Sequence, residues 1–214
     1  MADKIDYKKE YKELYLPKST PHVIEVPAMQ FIAVEGKGNP NDKDGEYSAA
    51  VGLIYALSYT IKMSKMGENI PEGYFDYVVP PLEGLWWMSD GKREVEYQEK
   101  SKYAWISMIR QPEFVTEDIF QWACAEVQKK KKLDTSKAKL MQYYEGKCVQ
   151  CMHHGPFDDE PVTLEKMEEY MREHHLINDI SEIRRHHEIY LKDPRKIDAD
   201  KMRTVLRIPV KEEK

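Results

Sequence analysis

Two segments of this 214-residue chain rhyme, and that rhyme limits its fold more than any bulk property does. Phe31-Ile32-Ala33-Val34-Glu35-Gly36-Lys37-Gly38-Asn39-Pro40 is a β-rich run that meets a glycine-rich break, then an acidic loop and a helix. Tyr144-Glu145-Gly146-Lys147-Cys148-Val149-Gln150-Cys151-Met152-His153-His154-Gly155-Pro156-Phe157-Asp158-Asp159-Glu160-Pro161 repeats the pattern: strand, Gly-Pro break, acidic loop, helix. Two such units in so short a chain imply an internally duplicated domain. Its halves would meet at a cleft, a common place for a small-molecule site.

Read along the chain, residues 1–20 are charged and tyrosine-rich and form an N-terminal surface arm. Residues 21–214 form a single domain with halves of about 21–112 and 113–214. In the first half, 22–35 alternates as strand, and a helix runs from Glu46 to Met66 with Ala50, Leu53, Ile54, Leu57 and Ile61 at helical spacing. Strands follow at Phe75–Val79, Leu82–Met88 and Tyr103–Arg110. Pro80-Pro81 marks a bulge, kink or edge, and Gly91-Lys92 a turn. Thr116 opens a helix over 116–132 that closes on a lysine run, and Asp134 starts a shorter helix reaching Tyr143. The second half has a strand at Lys147–His153, a helix at Thr163–His175 capped by Thr163, and a strand at His186–Leu191. A turn at Lys192-Asp193-Pro194-Arg195, a short helix at Asp198–Lys201 and a last strand at Thr204–Val210 complete it. The order β-α-β-β occurs twice, so the expected class is α+β with an antiparallel sheet and a central ligand groove.

Composition excludes several functions. With 33 basic against 38 acidic residues there is no basic bias toward nucleic acid, and the run Lys129–Lys132 reads as a helix end in water. No apolar run is long enough to span a membrane, and the polar opening Met1-Ala2-Asp3-Lys4 is unlike a signal peptide. Three cysteines fit a reducing cytoplasm rather than a disulfide framework. Cys148 and Cys151 resemble a metal knuckle, but positions three apart on a strand face opposite ways. Paired histidines on a strand likewise give one ligand per face, so no metal or other cofactor is expected. Neither a nucleophile elbow nor a phosphate-binding loop is present.

Fourteen tyrosines and four tryptophans against five phenylalanines favour rings with a polar handle, which suit pocket walls. Trp86 and Trp87 adjoin on one strand and must face opposite sides, and Trp105 shares a face with Ser107. Tyr55 and Tyr59 lie four apart on a helix. In His186-His187-Glu188-Ile189-Tyr190-Leu191, alternation puts the apolar set toward the core and turns Glu188 and Tyr190 toward solvent or a cleft. His154 precedes Gly155-Pro156-Phe157, a rigid lip that overhangs a pocket or makes a turn.

The segments EGKGNP, PPLEGLWW, YYEGKCVQCMHHGPFDDEP, HHEIYLKDPR and KMRTVLRIPV together resemble the GyrI-like small-molecule-binding family, across about residues 22–210. The long middle insert and the Leu-Glu-Gly-Leu-Trp-Trp strand look like its stand-alone subgroup, which includes cyclopropanoid cyclopropyl hydrolases. The resemblance implies paired β-α-β-β units around a groove for planar aromatic molecules. Glu188 would stand where related effector-binding domains of multidrug regulators place a pocket glutamate. It also implies hydrolysis of the cyclopropane in DNA-alkylating natural products of the yatakemycin type. In that reading Glu188 and Tyr190 are catalytic, and Trp86, Trp87, Trp105, Tyr55, Tyr59, His154 and Phe157 bind the ligand. The family's regulators add a DNA-binding module for which residues 1–20 are too short, so no nucleic-acid partner is implied. A non-catalytic protein that sequesters the same ligands is the alternative, an inhibitor docking on another protein is a third, and oligomeric state stays open.

Overall fold

The computed structural model describes residues 4–67, 70–91, 99–192 and 197–213. In chain order these form strand β1 (Ile5–Asp6), the single-turn helices α1 (Tyr7–Glu10) and α2 (Lys12–Tyr15), β2 (His22–Val26), β3 (Met29–Lys37) and helix α3 (Glu46–Lys62). Then come β4 (Tyr77–Val78), β5 (Leu82–Met88), β6 (Tyr103–Arg110), helix α4 (Glu117–Lys131) and β7 (Ala138–Tyr143). The chain continues through β8 (Gly146–His154), helix α5 (Glu160–Glu173), β9 (Leu176–Asn178), β10 (His186–Tyr190) and β11 (Arg203–Glu212).

The duplication is visible in the sheet. Its order β2-β8-β11-β10-β5-β6-β3-β7 reads the same outward from the β10–β5 contact in both directions, and every pairing in it is antiparallel. One half contributes β3-α3-β5-β6 and the other β8-α5-β10-β11. The strand ahead of each unit crosses to the other: β2 pairs with β8, and β7 with β3. The halves are therefore interlocked rather than merely adjacent. The single strand expected over 22–35 is broken at Pro27, and the break lets β2 leave for the opposite half.

On one face, α3 packs on β3 and β6, with Ile54, Leu57 and Ile61 fully buried. Against the second half, α5 covers Val149, Cys151, Leu206 and Ile208 through Met167 and Met171. The gap between the two helices lies over the β5–β10 junction.

Several local expectations are corrected. Residues 4–16 are no surface arm: Tyr7, Leu14 and Tyr15 are buried in the main core, and β1 pairs with β4. Ala138–Tyr143 is an edge strand, not a helix, because pairing with β3 overrides a weak local helix preference. Helix α5 starts at Glu160. Pro161 sits in its first turn, where a missing N–H costs nothing, and Thr163 lies inside the helix, its hydroxyl 2.9 Å from His153 Nδ1. Thr116 does cap α4, accepting from the Ile119 N–H. Lys92 and residues 193–195, which belong to the two expected turns, lie outside the described residues; Gly91 has a φ of +83°.

Candidate functional site

A cavity of about 720 Å³ opens in the gap between α3 and the start of α5. Strands β5 and β10 make its floor with Leu82, Trp86, Glu188 and Tyr190. Helix α3 supplies one wall through Tyr47, Val51, Tyr55 and Tyr59, a stripe at four-residue spacing. Phe157 and Glu160 form the opposite wall, and Tyr103 closes the end of β6. The rings touch one another: Tyr47 lies 5.4 Å from Trp86, Trp86 5.8 Å from Tyr103, and Phe157 5.6 Å from Tyr190.

Across the floor runs a hydrogen-bond chain. Trp86 Nε1 donates to the Tyr190 hydroxyl at 2.8 Å, and that hydroxyl donates to Glu188 Oε2 at 2.7 Å. The register explains it: Glu188 pairs with Gly84, so the hydroxyl and the indole meet over a residue without a side chain. A Cβ on Gly84 would stand 2.6 Å from Trp86 Nε1 and 3.0 Å from the Tyr190 oxygen. The chain exists because position 84 is glycine.

Burial, reinforced by the Glu188 carboxylate, pushes the Tyr190 and Tyr47 phenols well above the ordinary tyrosine value. The same causes push Tyr103 up to about 12. All three stay protonated and act as donors at neutral pH. Tyr190 spends its proton on Glu188, whereas the buried Tyr103 hydroxyl has no hydrogen-bond partner among the described residues.

Of the residues singled out in the sequence, the structure brings Glu188, Tyr190, Trp86, Tyr55, Tyr59 and Phe157 to this cavity. Trp105 lies beneath it, fully buried against Tyr47 and filling the space a side chain at Gly36 would need. Trp87 faces the other side of the sheet, under the Arg185 guanidinium at 4.6 Å. His154 is exposed at the end of β8, within hydrogen-bond distance of Ser19. Neither of the last two lines the cavity. Tyr47, Tyr103, Glu160 and His186 were missed; the first was legible, since 47, 51, 55 and 59 form one helical stripe. Cys148 and Cys151 point into different cores, so they offer no paired metal ligands. Among the described residues, one ligand atom each from Glu160, His186 and Glu188 lies within 4.8 Å of the others, a set able to hold a metal ion.

The family model for the GyrI-like small molecule binding domain matches residues 19–211. The chain belongs to the GyrI-like family. No curated protein matches it. Among solved structures it is similar to a protein described as a hydrolase from Listeria innocua, at 50% identity and a TM-score of 0.88, over 97% of this chain and 100% of that one. A hydrolase encoded by lin2189 from the same organism gives 49%, 0.89, 98% and 100%. The EcmrR C-terminal domain, at 11% identity and a TM-score of 0.53, covers 90% of this chain and 98% of that one and shares the fold alone. No described helix is long and apolar enough to cross a membrane.

Behind the floor of this GyrI-like domain, the alternate residues of the same strands build a buried ionic network. His187 places its two ring nitrogens 3.0 Å from Glu145 and 3.0 Å from Glu83. Arg207 donates to Glu145 at 3.0 Å and to the Leu14 carbonyl at 2.9 Å, and Tyr15 donates to Glu83 at 3.2 Å. Burial alone would lower the His187 imidazole, but the two carboxylates outweigh it and raise it to about 9. Burial would raise Glu145, yet His187 and Arg207 hold it down to about 2. The network ties β5, β10, β11 and α2 together, and so fixes the backbone that carries Glu188.

Proposed function

We propose that this protein binds planar aromatic molecules in the α3–α5 cavity and adds water to the cyclopropane of DNA-alkylating cyclopropanoids, a detoxifying hydrolysis. The observation that carries the reading is Glu188, a carboxylate that accepts from the Tyr190 hydroxyl, itself held by the Trp86 N–H, in a wall of aromatic rings. The cavity volume falls inside the range of about 300–1,000 Å³ usual for drug-sized ligands. Two Listeria proteins at half identity, described as hydrolases, add support.

In a spirocyclopropane conjugated to a dienone, water oxygen attacks a ring methylene as the strained C–C bond breaks. The electron pair of that bond passes into the ring, which becomes an aromatic phenolate. Glu188 takes the proton the water loses, and the Tyr103 hydroxyl hydrogen-bonds the carbonyl oxygen as it gains charge. Tyr190 is then a positioning residue, because its hydroxyl is already committed to Glu188. Trp86, Tyr47, Tyr55 and Phe157 hold the flat ligand, and strain release with aromatisation leaves orientation as the main task.

The test is Glu188→Gln, with turnover followed by chromatography and affinity by tryptophan quenching. Turnover is expected to fall about 10²- to 10⁴-fold, the usual worth of a general base, with affinity near wild type. Equal loss of both would overturn the assignment.

A further inference from the structure

One neighbour of Glu188 has no task in ring opening. His186, Glu188 and Tyr190 are alternate residues of β10, so their side chains share one face of the sheet. The Glu188 carboxylate stands between the other two and meets both. Its Oε2 accepts from the Tyr190 hydroxyl at 2.7 Å, and its Oε1 lies at ion-pair distance, 3.3 Å, from His186 Nε2. Each oxygen is held by a different neighbour, and each keeps a lone pair for a water molecule.

His186 acts from behind the cavity surface. Glu188 and Tyr190 line the cavity, whereas His186 is outside its lining and its side chain is 7% exposed. Across the strands it stands opposite Trp86, the residue that anchors Tyr190. The two supports of the carboxylate are thus tied to one tryptophan, Tyr190 by a hydrogen bond and His186 by strand register.

Glu160 shows why the second support matters. One of its carboxylate oxygens, one from Glu188 and a ring nitrogen of His186 lie within 4.8 Å of one another. Without the imidazole, two carboxylates would face each other across that space, and like charges repel. The Tyr190 bond alone fixes one oxygen and leaves the group free to turn about it. A misplacement of about 1 Å at a reacting group can cost about 10²-fold in rate. We propose that His186 is a positioning residue, which holds Glu188 Oε1 and keeps the carboxylate aimed into the cavity. The catalytic consequence rests on the ring-opening reading, and the contact itself on the geometry of β10.

The experiment compares His186→Leu, which removes the nitrogen, with His186→Gln, which keeps an N–H donor on a side chain of similar reach. Cyclopropanoid turnover gives kcat, and tryptophan quenching by a planar aromatic ligand gives affinity. Expected is a kcat loss of about 10- to 100-fold in His186→Leu with affinity near wild type, mostly recovered in His186→Gln. In a Glu188→Gln background, His186→Leu should cost no further rate, because the group it positions is already gone. Additive losses, a wild-type kcat in His186→Leu, or equal loss of kcat and affinity overturns the proposal. A second measurement needs neither turnover nor His186→Leu. Nitrogen-15 NMR of histidine-labelled wild type and Glu188→Gln follows the seven imidazoles, with His186 assigned through His186→Gln. Glu188→Gln should shift the His186 nitrogens more than those of any other histidine, and unmoved His186 signals overturn the proposal whatever the rates. Absence of wild-type turnover with that shift present overturns the hydrolase and supports the His186–Glu188 contact; turnover without the shift does the reverse.

Discussion

Gly84→Ala adds one methyl group, and the structure says where it goes. The new carbon would stand 2.6 Å from Trp86 Nε1, against an ordinary contact of about 3.5–4.0 Å, so the indole must retreat by about 1 Å. Tyr47 and Tyr103 flank that indole at 5.4 and 5.8 Å, and the methyl would also press on the Tyr190 oxygen at 3.0 Å. A retreat of this size breaks the 2.8 Å bond to Tyr190 and loosens the 2.7 Å bond to Glu188. A lost neutral hydrogen bond is worth about 1 kcal/mol, and overpacking adds about 1–3 kcal/mol, so about 2–4 kcal/mol of stability should go. At about 2–4 °C per kcal/mol for a domain of this size, Tm should fall by about 5–15 °C. Calorimetry gives Tm, and tryptophan quenching by a planar aromatic ligand gives affinity, which should fall with it. Gly52→Ala is the control: it is an exposed helical position with open space around its Cβ, and it should gain about 0.5–1 kcal/mol. A Gly84→Ala protein with wild-type Tm and affinity would refute the argument that glycine is required by the Trp86–Tyr190–Glu188 chain.

Other substitutions separate the parts of the account. Tyr103→Phe removes a buried hydroxyl that no described residue satisfies, so Tm should hold or rise slightly while turnover falls, measured by calorimetry and product formation. Trp86→Leu should abolish most ligand-induced quenching, whereas Trp87→Leu, on the far face, should leave affinity unchanged and cost about 0.5–1 kcal/mol of cation–π contact with Arg185. Glu145→Gln strands His187 and Arg207 without their shared carboxylate and should cost about 3–5 kcal/mol in urea denaturation. Because the Glu145 carboxyl is held down to about 2 from 4.5, its contribution is complete above about 4.5 and fades as pH falls toward 2. The variant should lack that part of the acid-induced loss.

What the sequence disclosed follows from short-range physics. Alternation along His186–Leu191 placed Glu188 and Tyr190 on the face opposite His187 and Ile189, because a strand has a period of two. Repeated strand-break-helix units disclosed the two halves. What stayed hidden depends on partners far away. Nothing local says that β2 pairs with β8 or that β7 pairs with β3, and the latter pairing turned an expected helix into a strand. The choice between Trp86 and Trp87 needed the β5–β10 register, which sets Trp86 beside His186. Tyr7 and Tyr15 looked like surface residues in a charged arm, and only the sheet behind them explains their burial. His154 looked like part of a pocket lip, yet the strand ends with it turned away from the cavity. Tyr103 could not be singled out, since its importance rests on a buried hydroxyl that no described residue meets, which only three dimensions reveal.

The measurement that bears most directly on the account is an incubation of the purified protein with a large excess of a yatakemycin-type cyclopropanoid in heavy-oxygen water, followed by mass spectrometry. The account predicts a product carrying one labelled water, formed over many turnovers and lost in Glu188→Gln. Recovery of unchanged ligand that nonetheless quenches tryptophan fluorescence would contradict it, and would make the cavity a place of sequestration rather than chemistry.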